Sequence, residues 1–271
     1  MLLATIIATL LGLALGSFLN VCIARLPAGA SVIRPRSHCP LCQHPIAAKD
    51  NIPVLSWLLL KRRCRHCQWP IPIRYPLVEL ATAIWFVASL WHFGISLAAI
   101  NTAILGFFLI GLLVMDWQTQ LLPDEFTLGG AAVGFALTAV RAFLLPMDRG
   151  LVVLTGPERI LLYRAIAILA VALLLFAVRW LYYLIRKQHG MGLGDVKMLA
   201  MIAAFLGLHQ ALLALFFAVI VGALYAIALM LARRQVTSQT HLAFGSFLAL
   251  GGLASALLGQ PILAWYISFY R

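Results

Sequence analysis

The sequence predicts an all-α polytopic membrane protein with about eight transmembrane helices and one cytoplasmic, cysteine-bearing loop. Its 271 residues are 63% hydrophobic with a mean hydropathy of +1.00, more apolar surface than a soluble domain of this size can bury. Its apolar runs approach the roughly 20 residues that a spanning helix needs, and they lack the period-two alternation of a membrane barrel. The third observation is a basic, proline-rich and cysteine-bearing stretch between the first two runs.

The first run, residues 2–24, has the length of a secretory signal, but no basic residue precedes it and no convincing small-residue cleavage site follows. Arg25 comes immediately after it, so it reads as a retained anchor with its N-terminus outside. Residues 25–76 hold nine of the twenty Lys and Arg residues: Arg25, Arg34, Arg36, Lys49, Lys61, Arg62, Arg63, Arg65 and Arg74. The positive-inside rule makes this loop cytoplasmic. Its prolines, from Pro27 to Pro76, argue against a long helix there. The remaining runs are 77–91 (marginal), 95–115, 126–145, 160–185, 196–208 (short), 211–231 and 243–266, the last with a potential break at Gly259-Gln260-Pro261. The marginal and short runs leave room for a count of seven.

Alternation of eight spans puts 116–125, 186–195 and 233–240 on the cytoplasmic side, and Arg186, Lys187, Arg233 and Arg234 agree with that. The exception is the loop around Arg141, Arg149 and Arg159, assigned outside and partly offset by Asp148 and Glu158. The division that follows is a first helix (1–24), a cytoplasmic cysteine-rich loop (25–76) and a transmembrane domain (77–271). The net charge of +12 sets orientation and meets anionic lipid headgroups of the bilayer. Nucleic acid is not needed to explain it. No internal repeat or low-complexity linker stands out.

Four of the five cysteines form two pairs, Cys39-Pro-Leu-Cys42 and Cys64-Arg-His-Cys67, with 21 residues between them. Two Cys-x-x-Cys turns at this spacing surround a tetrahedral zinc ion with thiolates. The alternatives are two disulfides or a redox pair, and a cytoplasmic placement disfavours disulfides. A loop of about 50 residues is too small for a self-sufficient core, so a structural metal is physically reasonable. His38, His44 and His66 are close enough in sequence to replace a ligand but read as solvated loop residues. Cys22, within the first run, reads as a buried apolar thiol.

Ionisable residues at the edge of a bilayer are costly, and their default reading is functional. Asp116 follows an apolar run, and Asp195 ends the stretch Gly190-Met191-Gly192-Leu193-Gly194-Asp195. Two carboxylates sharing a proton can hydrolyse a peptide bond, one activating water while the other protonates the carbonyl oxygen. Gly192 and Gly194 are expected to permit unusual backbone angles and close approach of an extended substrate. The plainer readings are that Asp116 is a capping or interfacial residue, that Asp195 caps a helix, and that Lys197 is its ion partner. Asp124 and Glu125 suit the dipole of the fourth span.

Taken in order, these residues resemble the type IV prepilin peptidases. The similarity runs through Gly16-Ser17-Phe18-Leu19-Asn20-Val21, both cysteine pairs, Asp50-Asn51-Ile52-Pro53, Ser56-Trp57-Leu58 and Arg74-Tyr75-Pro76-Leu77-Val78-Glu79. It continues at Asp116, Leu122-Pro123-Asp124, Gly192-Leu193-Gly194-Asp195-Val196-Lys197 and Ala243-Phe244-Gly245 with Phe247-Leu248-Ala249. The resemblance implies a Gly-x-Gly-Asp intramembrane aspartyl protease of the bacterial inner membrane, with Asp116 and Asp195 as the catalytic pair facing the cytoplasm. It implies prepilin or pseudopilin substrates, cut after the Gly that ends a basic leader. It also implies methylation of the new N-terminus with S-adenosylmethionine, associated with the 25–76 loop.

Two departures stand out. Lys61-Arg62-Arg63 occupies a place where the resemblance leads one to expect a glycine, in a segment linked to methyl transfer, so Arg62 bears on methylation and not on proteolysis. Ala243-Phe244-Gly245-Ser246 stands where Pro-Phe-Gly-Pro is common, a change expected to alter a turn and not the chemistry. A related aspartyl protease without methyltransferase activity and a zinc-stabilised scaffold or transporter are the alternative readings.

Overall fold

The computed structural model describes residues 1–144, 156–188, 192–232 and 243–269, and its regular elements there are all helical. The long helices are α1 (Leu2–Arg25), α3 (Arg74–Phe93), α4 (Leu97–Thr119), α5 (Asp124–Leu144), α6 (Pro157–Arg186), α8 (Leu208–Leu231) and α9 (Phe244–Ser268). All seven are long and apolar enough to cross a membrane. Two short helices complete the set, α2 (Leu55–Leu59) in the loop and α7 (Leu193–Leu206) in the bundle. The chain divides into two bodies inside α4, Met1–Gly111 and Leu112–Arg271.

In the first body α1 lies against α3. Gly12 and Gly16, one turn apart on one face, set the approach: a Cβ on Gly12 would fall 2.5 Å from Ala83 Cα, and one on Gly16 2.7 Å from Glu79 Cα. In lipid such close backbone packing replaces the hydrophobic effect as the force that joins helices. Leu19, Asn20, Cys22 and Ile23 extend the buried face, and Asn20 Nδ2 donates to Tyr75 O at 3.0 Å. Trp85 Nε1 donates to Thr102 O at 2.8 Å, which ties α3 to α4.

The prolines keep the loop almost free of helix, as expected; besides α2 it has only short 3-10 turns at Leu26–Ala28 and Ala48–Asp50. The two cysteine turns are related, contrary to the expectation of no internal repeat. Cys39-Pro-Leu-Cys42-Gln43-His44-Pro45-Ile46 and Cys64-Arg-His-Cys67-Gln68-Trp69-Pro70-Ile71 fold alike. Each first cysteine accepts the N–H of its glutamine (2.9 and 3.1 Å) and donates to the residue after that glutamine (3.0 and 2.8 Å). Gln43 and Gln68 both take the left-handed conformation, with φ of 56° and 58°. The bridges His38 to Pro45 and Arg63 to Pro70 close each turn in the same way. An internal repeat therefore exists, one motif long.

In the second body α7 packs against α5 and α6, and α8 against α9. The apolar segment 196–208 is this α7. Its 14 residues span about 21 Å, short of the roughly 30 Å hydrocarbon core. Nine of them are buried. A helix that ends inside a bundle leaves its last carbonyls without water. Here Arg164 donates to Ala203 O (3.2 Å) and Thr138 Oγ1 to Ala204 O (3.3 Å), while Gly207, at φ 89°, turns the chain directly into α8. The expected break at Gly259-Gln260-Pro261 does not occur: α9 runs through Pro261 without interruption. Proline is tolerated because packing against α8 holds this stretch, where Ser255 Oγ donates to Gln210 O at 2.7 Å. Asp148, Arg149, Gly190, Met191, Arg233 and Arg234 lie outside the described residues.

Candidate active site

Asp116 lies in the last turn of α4 and Asp195 in the first turn of α7. Both are buried, with 5% and 7% of their surface exposed, and they stand within electrostatic reach of each other. The fold therefore brings together the two acids that the sequence paired. Asp116 Oδ2 accepts the Ser246 backbone N–H at 2.6 Å and sits 3.0 Å from the Ser246 hydroxyl. That hydroxyl also lies 3.0 Å from Leu113 O. Both contacts to Asp116 fall on Oδ2. The departure at position 246 does touch Asp116, contrary to the expectation of a changed turn alone: a proline there would supply neither donor.

Asp195 accepts the N–H of Gly192, the residue that precedes α7. The side chain thus does reach back to the start of its helix, as a capping residue does, while facing Asp116. Asp116, in a last turn, is no N-cap. Lys197 is not the ion partner of Asp195: its Nζ holds Asp124 at 2.6 and 2.9 Å, joining the first turns of α7 and α5. Asp124 and Glu125 lie in that first turn of α5, where the helix dipole favours negative charge.

The glycines act differently from expectation. Gly192 has φ −71° and ψ 150°, extended backbone open to any residue, and Gly194 lies within α7. Space, not backbone angle, is what Gly194 provides: a Cβ there would lie 2.8 Å from Leu122 Cβ. Gly245 does the same on the other side, where a Cβ would lie 3.0 Å from both Asp116 Cγ and Leu122 Cδ1. Leu122 thus wedges between the helix starts that carry Asp195 and Ser246. In the sequence Leu122 stands out only as a motif residue and Ser246 only as part of a departure, and no local signal places either against the aspartates.

In the first body the ligand atoms of Cys39, Cys42, Cys64 and Cys67 all lie within 4.8 Å of one another, and no histidine joins them among the described residues. A tetrahedral ion with metal–sulfur bonds of about 2.3 Å separates its sulfurs by about 3.8 Å. Cys39 Sγ and Cys67 Sγ are 3.7 Å apart, so the sulfurs fit such an ion. None of these cysteines is in a disulfide. Backbone N–H groups of Cys67 and His66 bring the Cys64 thiol down to about 7. The N–H of Trp69 favours the Cys67 thiolate too, but desolvation and the sulfurs of Cys42, Cys39 and Cys64 push it up to about 12. Four crowded sulfurs resist joint ionisation until a cation shares their charge. His44 and His66 stack on each other, with centroids 3.5 Å apart.

Arg62, at the departure before Cys64, has φ 65°, and Lys61 has φ 50°. The left-handed region favours glycine, which explains why one is expected in this segment. Arg62 holds the conformation through its N–H to Trp57 O (2.9 Å) and its O to Ile71 N–H (2.7 Å), with the guanidinium 5.5 Å from the Trp57 ring centre.

Comparison with known proteins agrees with these observations. Residues 10–93 match the model of the bacterial peptidase A24 N-terminal domain, and residues 103–227 match that of the type IV leader peptidase family. A prepilin leader peptidase/N-methyltransferase of Aeromonas hydrophila is 34% identical over 96% of this chain and 92% of its own length. One from Stutzerimonas stutzeri is 35% identical, covering 97% of this chain and 94% of that protein. A third, from Myxococcus xanthus, is 39% identical over 85% of this chain and 64% of the relative. No solved structure matches. With both models met in order and these relatives covered almost end to end in two cases, the chain belongs to the type IV leader peptidase family.

Proposed function

We propose that this protein cleaves the leader peptide from type IV prepilins or pseudopilins and methylates the N-terminus that cleavage exposes. The observation that carries the proteolytic reading is the meeting of two buried carboxylates, Asp116 and Asp195, from helix ends far apart in sequence. One carboxylate takes a proton from water as the oxygen attacks the scissile carbonyl. The other gives its proton to the carbonyl oxygen, and collapse of the tetrahedral species returns a proton to the departing amine. Ser246 fixes one face of Asp116, and Gly192 N–H fixes Asp195, so the pair needs little rearrangement when substrate arrives. The basic residues of 25–76 support an active site that faces the cytoplasm of a bacterial inner membrane.

Cys39, Cys42, Cys64 and Cys67 would hold a zinc ion, which when bound ties the two turns of the loop together. Four sulfur ligands leave no open position, so its role is structural. The names of the relatives support S-adenosylmethionine as the methyl donor.

Mass spectrometry of a prepilin incubated with the purified protein in liposomes, with and without S-adenosylmethionine, tests both activities. Loss of the leader with a gain of one methyl group supports the full reading. Cleavage with no methyl gain removes the second activity, and an intact prepilin from folded, zinc-loaded protein removes the first.

A further inference from the structure

A cavity of about 610 Å³ opens in the first body between α1, α3 and the cysteine loop. That volume lies in the range of small-molecule sites. Asn20 and Glu79 line it from the two helices, with only 3% and 7% of their surfaces exposed. Asn20 spends its amide N–H on Tyr75 O, and its Oδ1 receives no donor at all. Buried oxygens without donors are costly unless a ligand satisfies them.

Glu79 is held in place with similar care. Its Oε2 accepts Val54 N–H at 2.7 Å, and the Ser17 side chain bonds to the same carboxylate. Val54 has φ 60° and ψ −49°, and Leu55 N–H donates to Pro53 O at 2.6 Å across it. This is a left-handed γ-turn, a rare and strained geometry, and more so for a β-branched residue. Such strain persists where surrounding structure enforces it, commonly at binding sites. Here it aims a backbone N–H at Glu79. The chamber thus offers two buried oxygen acceptors, one of them a carboxylate, beside the aromatic rings of Trp57 and Tyr75. Acceptors of this kind select an ammonium group, and flat rings suit a heterocycle or a cation.

On the reading that this chain is a methyltransferase, we propose that the cavity is its S-adenosylmethionine site, with Asn20 Oδ1 and Glu79 holding the ligand's ammonium group. When bound, this ligand supplies an electrophilic methyl group. Asn20 and Glu79 are binding residues in this account, and not only packing residues of a helix pair.

Calorimetric titration of the zinc-loaded, detergent-solubilised full chain with S-adenosylmethionine and with 5′-methylthioadenosine tests the assignment. The second ligand keeps the adenosine and lacks the ammonium. Glu79→Gln and Asn20→Ala are each expected to weaken S-adenosylmethionine at least tenfold and to change methylthioadenosine less than threefold, with zinc content and elution volume as in the parent. Equal losses for both ligands, or no loss for either, would overturn the assignment. So would a result in which the variants bind S-adenosylmethionine normally and lose affinity only for a peptide with the free N-terminal amine of a processed pilin. A parent protein that binds neither adenosyl ligand and adds no methyl group would instead remove the methyltransferase reading itself.

Discussion

Replacing Gly194 with alanine puts a methyl carbon 2.8 Å from Leu122 Cβ and 3.0 Å from its Cδ1. Non-bonded carbons rest at about 3.5–4.0 Å, so roughly 0.7 Å must open between the first turn of α7 and the segment before α5. Leu122 has Gly245 and Asp116 on its far side, since the Cβ position of Gly245 lies 3.0 Å from Leu122 Cδ1 and from Asp116 Cγ, so a retreat carries it toward Asp116. The displacement therefore falls on Asp195 or Asp116. Overpacking of this size costs about 1–3 kcal/mol, and a misplacement of about 1 Å at reacting groups costs on the order of a hundredfold in rate. We expect Gly194→Ala to cut prepilin cleavage 10- to 100-fold, followed by gel or mass spectrometry in liposomes. Gly192→Ala is the control, since its Cβ would lie 3.6 Å from Asp195 Oδ2, ordinary contact, on backbone that alanine accepts. It should stay within about threefold of the parent, given that the added methyl needs no displacement. A Gly194→Ala protein with unchanged rate, or a Gly192→Ala protein equally impaired, would refute this geometry.

Ser246→Ala removes one charge-assisted hydrogen bond to Asp116 and keeps the backbone donor; cleavage should fall about tenfold by the usual strength of such bonds, while Ser246→Thr keeps most of it. Arg62→Gly relieves about 1 kcal/mol of left-handed strain and loses a stacking contact of about 0.5–1 kcal/mol, so methylation and thermal stability should change little; loss of methylation would show that the arginine side chain itself is used. Lys197→Met breaks an ion pair whose partners are both substantially exposed, worth under about 1 kcal/mol, and cleavage should drop less than about fivefold, by that energy. Zinc affinity should fall steadily as pH drops from 8 to 6, because the Cys67 thiol, pushed up to about 12, must release a proton to bind metal throughout that window, and more steeply below about 7, where the Cys64 thiol must do so too; competition with a chromophoric chelator between pH 6 and pH 8 measures it, and an affinity independent of pH in that window would contradict the assignment.

Most helices were legible because apolar length is a strong signal: α1, α3, α4, α5, α6, α8 and α9 each lie where an apolar run does. The short run 196–208 was legible as an element but not as a full-length span. What lets α7 be short is the pair of side-chain donors from Thr138 and Arg164, contacts between helices that no local pattern announces. Pro261 suggested a break because proline removes a helix donor, yet tertiary packing overrode the local penalty. The two aspartates were legible because a carboxylate beside an apolar run is unusual. Ser246 was not, because a serine in a glycine-containing helix start carries no such signal, and only the fold brings it onto Asp116. Asn20 and Glu79 were visible as matching motif residues, but the donorless Oδ1 and the Val54 turn that give them meaning exist only in three dimensions.

The most direct measurement is the rate of prepilin cleavage by Asp116→Asn, Asp195→Asn and the double variant, each inserted in liposomes and matched for zinc content. Groups that act as a unit lose activity together, so each single variant should be as inactive as the pair. Cleavage retained by either single variant, or losses that multiply in the double variant, would contradict a shared two-aspartate site.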